Sequence, residues 1–197
     1  MNIKKILARN YILASRSARR KKLLNQVGLH FKVKDSNVEE VNFKDFHPIK
    51  MVRINSQYKS RKVAENYKNE IVIGADTIVV LGKEILGKPG NEKEAIKFLT
   101  MLSNKKHIVY TGFNIIDTKS GKEIFDFEKT TVHFRKLLLE EIKYYVRNHK
   151  PFDKAGSYGI QDDFGCLFIE KITGDYYNVV GLPLVKLFIS LQELLSK

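Results

Sequence analysis

The sequence predicts a mixed α/β protein, in which helices cover a sheet of parallel and antiparallel strands. Short apolar strand candidates alternate along the chain with helix candidates, and this order is typical of helices packed on a sheet. Two strand candidates also end in short turns that lead straight into another strand, at Gly82-Lys83 and at 118–121. Such turns indicate antiparallel neighbours, so the sheet is predicted to be mixed.

The first half of the chain begins with a short strand and a capped helix. Residues 11–14 are apolar and form the strand candidate, and Ser17 can cap a helix over 18–27. Gly28 is placed to end that helix. The elements that follow are a second strand within 31–49, a polar helix over 52–67, a strand over 71–81 and a hairpin strand over 84–86.

The second half contains a helix with clear start signals. Asn91 can cap it, Glu94 stands three residues further on as in a capping box, and apolar residues follow at helical spacing up to Leu102. The single cysteine, Cys166, lies in an apolar run and is predicted to be a small buried strand residue. The later elements are strands over 107–117 and 122–134, a helix over 140–149, a strand over 166–172 and a helix over 183–195.

Length and composition limit the class of protein. The 197 residues suit one large domain or two small lobes that share one sheet. The net charge of +13 favours an anionic partner, although the scattered lysines also fit a general composition bias. No run approaches 18 apolar residues and the start lacks a long apolar segment, so neither a membrane span nor a signal peptide is predicted.

A basic turn lies between the first strand and the first helix. It contains Ser15, Arg16, Ser17, Arg19 and Arg20. A helix N-terminus offers free backbone N–H groups, and hydroxyl and guanidinium groups add donors that suit phosphate oxygens. Because cations oppose the helix dipole here, an anionic ligand would explain them. A capped surface helix with a basic first turn remains the alternative.

An acidic residue interrupts the apolar segment 71–81. Asp76 follows Gly74 and Ala75, two small residues that leave room for a close approach to the backbone. A carboxylate in such a segment is costly unless it is paired or binds a metal, so we expect a functional break in the strand. The alternative is an Asp at a strand bulge, bonded to a neighbouring turn. Glu40 could supply a second carboxylate.

Five ordered motifs together resemble the Maf family of nucleoside triphosphate pyrophosphatases. The similarity runs from about residue 10 to the C-terminus, and residues 1–9 form an N-terminal extension. The motifs are Leu13-Ala-Ser-Arg-Ser-Ala-Arg-Arg20, Gly74-Ala-Asp-Thr77, Leu86-Gly-Lys-Pro89, Asp153-Lys-Ala-Gly-Ser-Tyr-Gly-Ile-Gln161 and Tyr177-Asn-Val-Val-Gly-Leu-Pro-Leu184.

The resemblance implies a fold and a reaction. The fold is a single domain over 1–197 that is similar to inosine triphosphatase, with a curved mixed sheet, helices on both sides, and a cleft between two lobes. The reaction is hydrolysis of dTTP or UTP to the nucleoside monophosphate and pyrophosphate, with Mg²⁺ or Mn²⁺ as cofactor. The resemblance further implies a cytoplasmic homodimer.

The resemblance also implies roles for single residues. They are the catalytic base Asp76; the specificity residues Arg19, Thr77 and Gln161; the phosphate-binding residues Ser15, Arg20, Lys59 and Lys88; and the metal ligands Glu40 and Asp76. The residues alone assign Lys59 no function, because a single lysine on a helix face is usually solvated.

Two departures from the family pattern bear on specificity. Ala18 stands where the family usually has proline, and Asp162-Asp163 follow Gln161 where less charge is expected. One alternative function is hydrolysis of 7-methyl-GTP or another non-standard nucleotide. A second is a nucleic-acid-binding regulator of septum formation, which we do not expect because the chain has no stripe of interleaved arginine and aromatic residues.

Overall fold

A computed structural model describes residues 3–41, 47–161 and 164–196. The strands are β1 (Tyr11–Leu13), β2 (Phe31–Val33), β3 (Ile71–Leu81), β4 (Glu84–Leu86), β5 (Lys106–Asp117), β6 (Glu123–Phe134) and β7 (Ile169–Thr173). The helices are α1 (Ile3–Leu7), α2 (Ala18–Gln26), α3 (Pro48–Ala64), α4 (Glu92–Leu102), α5 (Leu139–His149), α6 (Tyr176–Val180) and α7 (Leu184–Leu194). No helix among the described residues is long and apolar enough to cross a membrane.

The strands form one seven-stranded mixed sheet, in the order β2-β1-β3-β5-β6-β7 with β4 paired to β3. β1 runs parallel to both β2 and β3, and Tyr11 is paired with Phe31 and with Ile71. β4 and β7 run antiparallel to β3 and β6, respectively. The predicted mixed α/β class is therefore confirmed, whereas the curvature, the cleft and the single domain over 1–197 stay predictions.

The starts of α2 and α4 follow from local capping chemistry. Asn91 caps α4, since its side chain accepts a hydrogen bond from the backbone N–H of Glu94. The Glu94 carboxylate accepts from the backbone N–H of Gly90, one residue before the position that a capping box requires. Gly28 has a positive φ of 72° just after α2, as expected for a residue that ends a helix.

Two sequence predictions were wrong. β3 is not broken at Asp76, because all residues from Ile71 to Leu81 belong to one continuous strand. Cys166 is exposed and lies in the 3₁₀ turn Phe164–Phe168, so the last strand begins only at Ile169. With about three residues per turn, the 3₁₀ geometry places Gly165 and Phe168 inward and leaves Cys166 outside.

By its internal contacts the chain divides into two compact units. The first unit comprises Met1–Asp76, Thr111–Glu128 and Gly181–Lys197, and the second comprises Thr77–Tyr110 and Lys129–Val180. Residues of β1, β3 and α3 form a buried apolar cluster in the first unit. Residues of α4, α5 and β6 contribute to a larger one in the second.

Within the first unit, α3 lies directly on β3 at Gly74. A Cβ atom at this position would stand 2.3 Å from the backbone oxygen of Ser56 and 2.7 Å from the backbone nitrogen of Ser60. Gly74 therefore does allow a close approach, as the sequence predicts, and the approaching group is the helix backbone. This contact fixes where the side chains of α3 meet the strand.

Candidate functional site

The basic turn is closed by its own serine hydroxyls. Ser17 caps α2 by accepting a hydrogen bond from the backbone N–H of Arg20, with a nitrogen–oxygen distance of 3.4 Å. The Ser15 hydroxyl oxygen accepts from the backbone N–H of Ser17 at 3.2 Å and from Nη1 of Arg20 at 3.1 Å. The predicted strand–turn–helix arrangement is thus present, and Ala18 begins the helix without a proline.

The arginines of this turn occupy different environments. Arg20 is buried, with 8% of its surface exposed, and its Nε donates to the backbone oxygen of Gly181 at 2.8 Å. Burial lowers the pKa of Arg20, and the nearby charges of Asp76 and Glu40 act in the opposite direction. Arg16 points outward and pairs with Asp35. Arg20 is therefore a buried cation of this turn that interacts electrostatically with Asp76 and Glu40.

Asp76 is held by two side chains of α3. The residue is 4% exposed on β3. Oδ1 accepts from Nζ of Lys59 at 2.8 Å, and Oδ2 accepts from Nδ2 of Asn55 at 3.0 Å. Because both donors lie on one helix, the partner of Asp76 is not a turn beside a strand bulge, which was the alternative left open by the sequence.

Lys59 links the two predicted metal ligands. Its Nζ donates to Oε1 of Glu40 at 2.7 Å, to Oδ1 of Asp76 at 2.8 Å and to the backbone oxygen of Ala75 at 3.2 Å. These three acceptors match the three N–H donors of an ammonium group. Lys59 is buried rather than solvated, and we call Glu40, Lys59 and Asp76 the acidic centre.

Of the remaining predicted site residues, Arg19 is half-buried on α2 in the first unit, and the others belong to the second unit. Thr77 follows Asp76 on β3 and is half-buried, and Lys88 is exposed in the segment after β4. Gln161 is half-buried, and its side-chain oxygen is shielded from solvent with no hydrogen-bond partner among the described residues. A buried amide oxygen is costly when it accepts no bond, so it is suited to a donor from a ligand. Asp162 and Asp163 lie outside the described residues.

Sequence reasoning missed a buried polar pair formed by Tyr158, from the motif that ends at Gln161, and His107 of β5. Tyr158 and His107 are both buried, and the Tyr158 hydroxyl lies 2.7 Å from Nε2 of His107. Burial lowers the pKa of His107 to about 3, and the charge of His133 acts in the same direction. Burial also raises the pKa of Tyr158. Both groups are therefore neutral near pH 7.

We expect His107 to make the folded protein acid-sensitive. Its pKa is about 3 when folded, against an ordinary 6.5, so the unfolded chain binds more protons in the interval between these values. The contribution is fully present above pH 6.5 and is lost as the pH falls toward 3, by an amount on the order of a few kcal/mol. Denaturant unfolding from pH 7 to pH 4 should give a flatter stability profile for His107→Gln than for the wild type. Parallel profiles would contradict this.

Comparisons with known proteins identify the family. A family model described as Maf-like protein matches residues 10–194. A dTTP/UTP pyrophosphatase of Dictyoglomus turgidum is 47% identical over 92% of this chain and 94% of its own length. Proteins of the same description from Thermoanaerobacter sp. and Bacillus cereus are 49% and 47% identical, over 90% and 94% of this chain and 92% and 95% of their own lengths.

The solved structure of the Staphylococcus aureus Ham1 protein is 12% identical to this chain and gives a TM-score of 0.46. The match covers 64% of this chain and 72% of the Ham1 chain, and a similarity this weak supports no conclusion. The family model and the relatives cover nearly all of the sequence. The chain belongs to the Maf family.

Proposed function

We propose that this protein hydrolyses dTTP and UTP to the nucleoside monophosphate and pyrophosphate. The acidic centre carries the proposal, because it holds a buried, oriented carboxylate in the same compact unit as a buried arginine whose pKa responds to that carboxylate's charge. Relatives described as dTTP/UTP pyrophosphatases, which match over nine-tenths of the chain, support the choice of substrate.

The proposed phosphate contacts begin at the basic turn. A nucleoside triphosphate carries about four negative charges, which arginine, lysine and hydroxyl donors can compensate. Ser15 is suited to this role because its oxygen already accepts two bonds from the protein, which directs its own proton toward a further acceptor. Arg19, Arg20 and Lys88 would supply charge. Lys59 would have to exchange one of its three protein acceptors in order to reach phosphate.

A divalent metal fits the residues of the acidic centre. Mg²⁺ in nucleotide-processing enzymes commonly uses one or two carboxylates and takes its other ligands from phosphate and water. Glu40 and Asp76 are such a pair of carboxylates. No cluster of three or more metal-binding side chains occurs among the described residues, but this mode of binding does not need one. When bound there, Mg²⁺ or Mn²⁺ would supply charge stabilisation for the phosphate oxygens.

In the proposed reaction, Asp76 accepts a proton from the attacking water. The water oxygen forms a bond to the α-phosphorus while the bond from that phosphorus to the bridging α–β oxygen breaks. Pyrophosphate leaves with its charge stabilised by the arginines of the basic turn. Lys59 and Asn55 hold the two carboxylate oxygens of Asp76 in place, so the base is oriented before the substrate arrives.

Base selection is assigned to Thr77, Gln161 and Arg19. The buried oxygen of Gln161 can accept a hydrogen bond from the N3–H group that thymine and uracil share. Cytosine has an acceptor at N3, so it would leave this oxygen without a donor and would be rejected. The homodimer and the cytoplasmic location belong to the proposal through the family resemblance. Nucleic acid is not expected as a partner, because the sequence has no stripe of interleaved arginine and aromatic residues.

A panel of dTTP, UTP, CTP, GTP and 7-methyl-GTP with Mg²⁺ tests the proposal when the products are resolved. We expect pyrophosphate and monophosphate from dTTP and UTP, slower turnover of CTP, and loss of activity when EDTA removes the metal. Orthophosphate and a nucleoside diphosphate as products would refute the reaction. Preferential hydrolysis of 7-methyl-GTP would refute the substrate.

A further inference from the structure

We infer that Asn55 is a positioning residue that sets Glu40 and Asp76 relative to each other. This inference rests on the proposed function of the acidic centre. Asn55 lies in the middle of α3 and is 3% exposed. Its hydrogen bonds go to Val41 and Asp76, and neither is predicted to bind phosphate or to select the base. Its effect would therefore pass through other side chains.

The amide of Asn55 binds two separate parts of the chain. Oδ1 accepts from the backbone N–H of Val41 at 2.8 Å, and Nδ2 donates to the backbone oxygen of Val41 at 3.1 Å. The same Nδ2 donates to Oδ2 of Asp76 at 3.0 Å. The first two bonds satisfy both the N–H and the C=O of Val41, as a residue on a neighbouring antiparallel strand would.

These partners determine the orientation of the amide. Val41 N–H can only donate, and the ionised carboxylate of Asp76 can only accept. Exchanging the oxygen and nitrogen of Asn55 would therefore face two donors against each other at Val41 and two acceptors against each other at Asp76. The arrangement is self-consistent in one orientation, so the Asn55 side chain joins these two groups specifically.

The bonds of Asn55 complete a pattern on one turn of α3. Asn55 and Lys59 stand four residues apart, which places them on the same helix face. Lys59 donates to the carboxylates of both Glu40 and Asp76, whereas Asn55 binds Asp76 and the backbone of the residue after Glu40. Side chains from one rigid turn of α3 therefore set the positions of both carboxylates.

Packing alone does not account for an asparagine at this position. Asparagine is a poor residue for a helix interior, because its side chain competes for backbone hydrogen bonds. Leucine has a similar shape and would suit a buried helix position better. What leucine cannot supply is the pair of bonds to Val41 and the donor to Asp76, so the amide chemistry distinguishes the two residues.

The test compares Asn55→Leu with a matched control, Asn114→Leu. Asn114 is also a fully buried asparagine against α3, and its Nδ2 donates to the Ser60 hydroxyl at 2.6 Å. It has no bond to Val41, Glu40 or Asp76 among those described. Three quantities are measured for each variant and the wild type: kcat and KM with dTTP and Mg²⁺, Mn²⁺ binding without nucleotide, and thermal unfolding.

Asn55→Leu is expected to lower kcat and Mn²⁺ affinity by about 10–100-fold each, the usual effect of losing a residue that orients metal ligands, with KM unchanged. Asn114→Leu is expected to lose thermal stability and to keep both properties. If Asn55→Leu does not fold, Asn55→Ser takes its place, because α3 already holds serines at positions 56 and 60.

Four outcomes decide the inference. A folded Asn55 variant with wild-type kcat and Mn²⁺ affinity overturns it, and so does an equal loss of both properties in Asn114→Leu. An inactive wild type refutes the proposed function instead. The inference about Asn55 is then tested by Mn²⁺ affinity alone. A selective loss of affinity in the Asn55 variant supports it, and no loss overturns it.

Discussion

Replacing Asp76 with asparagine is expected to lower kcat for dTTP by about 10²–10⁴-fold, the usual contribution of general base catalysis. The amide cannot accept the proton of the attacking water. The fold should survive, because Lys59 keeps its bonds to Glu40 and to the backbone oxygen of Ala75. Pyrophosphate release, measured together with circular dichroism and thermal unfolding, separates the loss of chemistry from the loss of structure.

Asp117→Asn is the matched control for that experiment. Asp117 is also a buried aspartate of the first unit, and it bonds to Arg9 and to the Ser120 hydroxyl instead of to the acidic centre. We expect this variant to lose stability and to keep kcat. Undiminished turnover in Asp76→Asn would show that another group accepts the proton.

Gly74→Ala is expected to destabilise the protein by about 3 kcal/mol, at the upper end of the range for an overpacked core. The added Cβ would stand 2.3 Å from the backbone oxygen of Ser56, and a helix backbone cannot turn aside as a side chain can. The helix must therefore move as a unit and carry Asn55 and Lys59 with it. Since a misplacement of about 1 Å can cost about 100-fold in rate, activity should fall as well.

Two other glycines serve as comparisons, and the three together give an expected order of stability losses. A Cβ at Gly87 meets nothing within 4 Å, so Gly87→Ala should leave the stability unchanged. A Cβ at Gly112 meets Cγ2 and Cβ of Val52 at 2.8 and 2.9 Å, which is less close than the backbone contact at Gly74, so its effect should lie between the other two. Denaturant unfolding of the three variants gives the order. Wild-type stability in Gly74→Ala would show that α3 does not lie against β3 at this point.

The fold could be predicted where the local pattern is strong. The limits of β3 agree with the apolar segment 71–81, and α4 begins where the cap at Asn91 indicates. Short elements with little periodicity, such as α1 and α6, were not predicted. The apolar run at Cys166 was assigned to a strand, because periodicity cannot separate a short buried strand from a turn that buries every third residue.

The candidate site could be predicted only in part. Asp76 is evident from sequence, since a carboxylate within an apolar strand needs a partner. Its partners are not evident, because the buried face of α3 includes the polar residues Asn55, Lys59 and Ser60 as well as apolar ones. Rules that assign the apolar face of a helix to the interior place such residues in solvent. The contact with Gly74 and the bonds to Asp76 show that these polar residues lie inside.

The bond between Arg20 and Gly181 joins residues 161 positions apart. During synthesis on the ribosome, Arg20 is made early, and this carbonyl partner is added 161 residues later. The basic turn can therefore form as a strand–turn–helix segment long before its guanidinium is anchored. A nascent chain that has not yet reached Gly181 would display the turn without that anchor, so the anchored form of the turn cannot assemble before this residue is made.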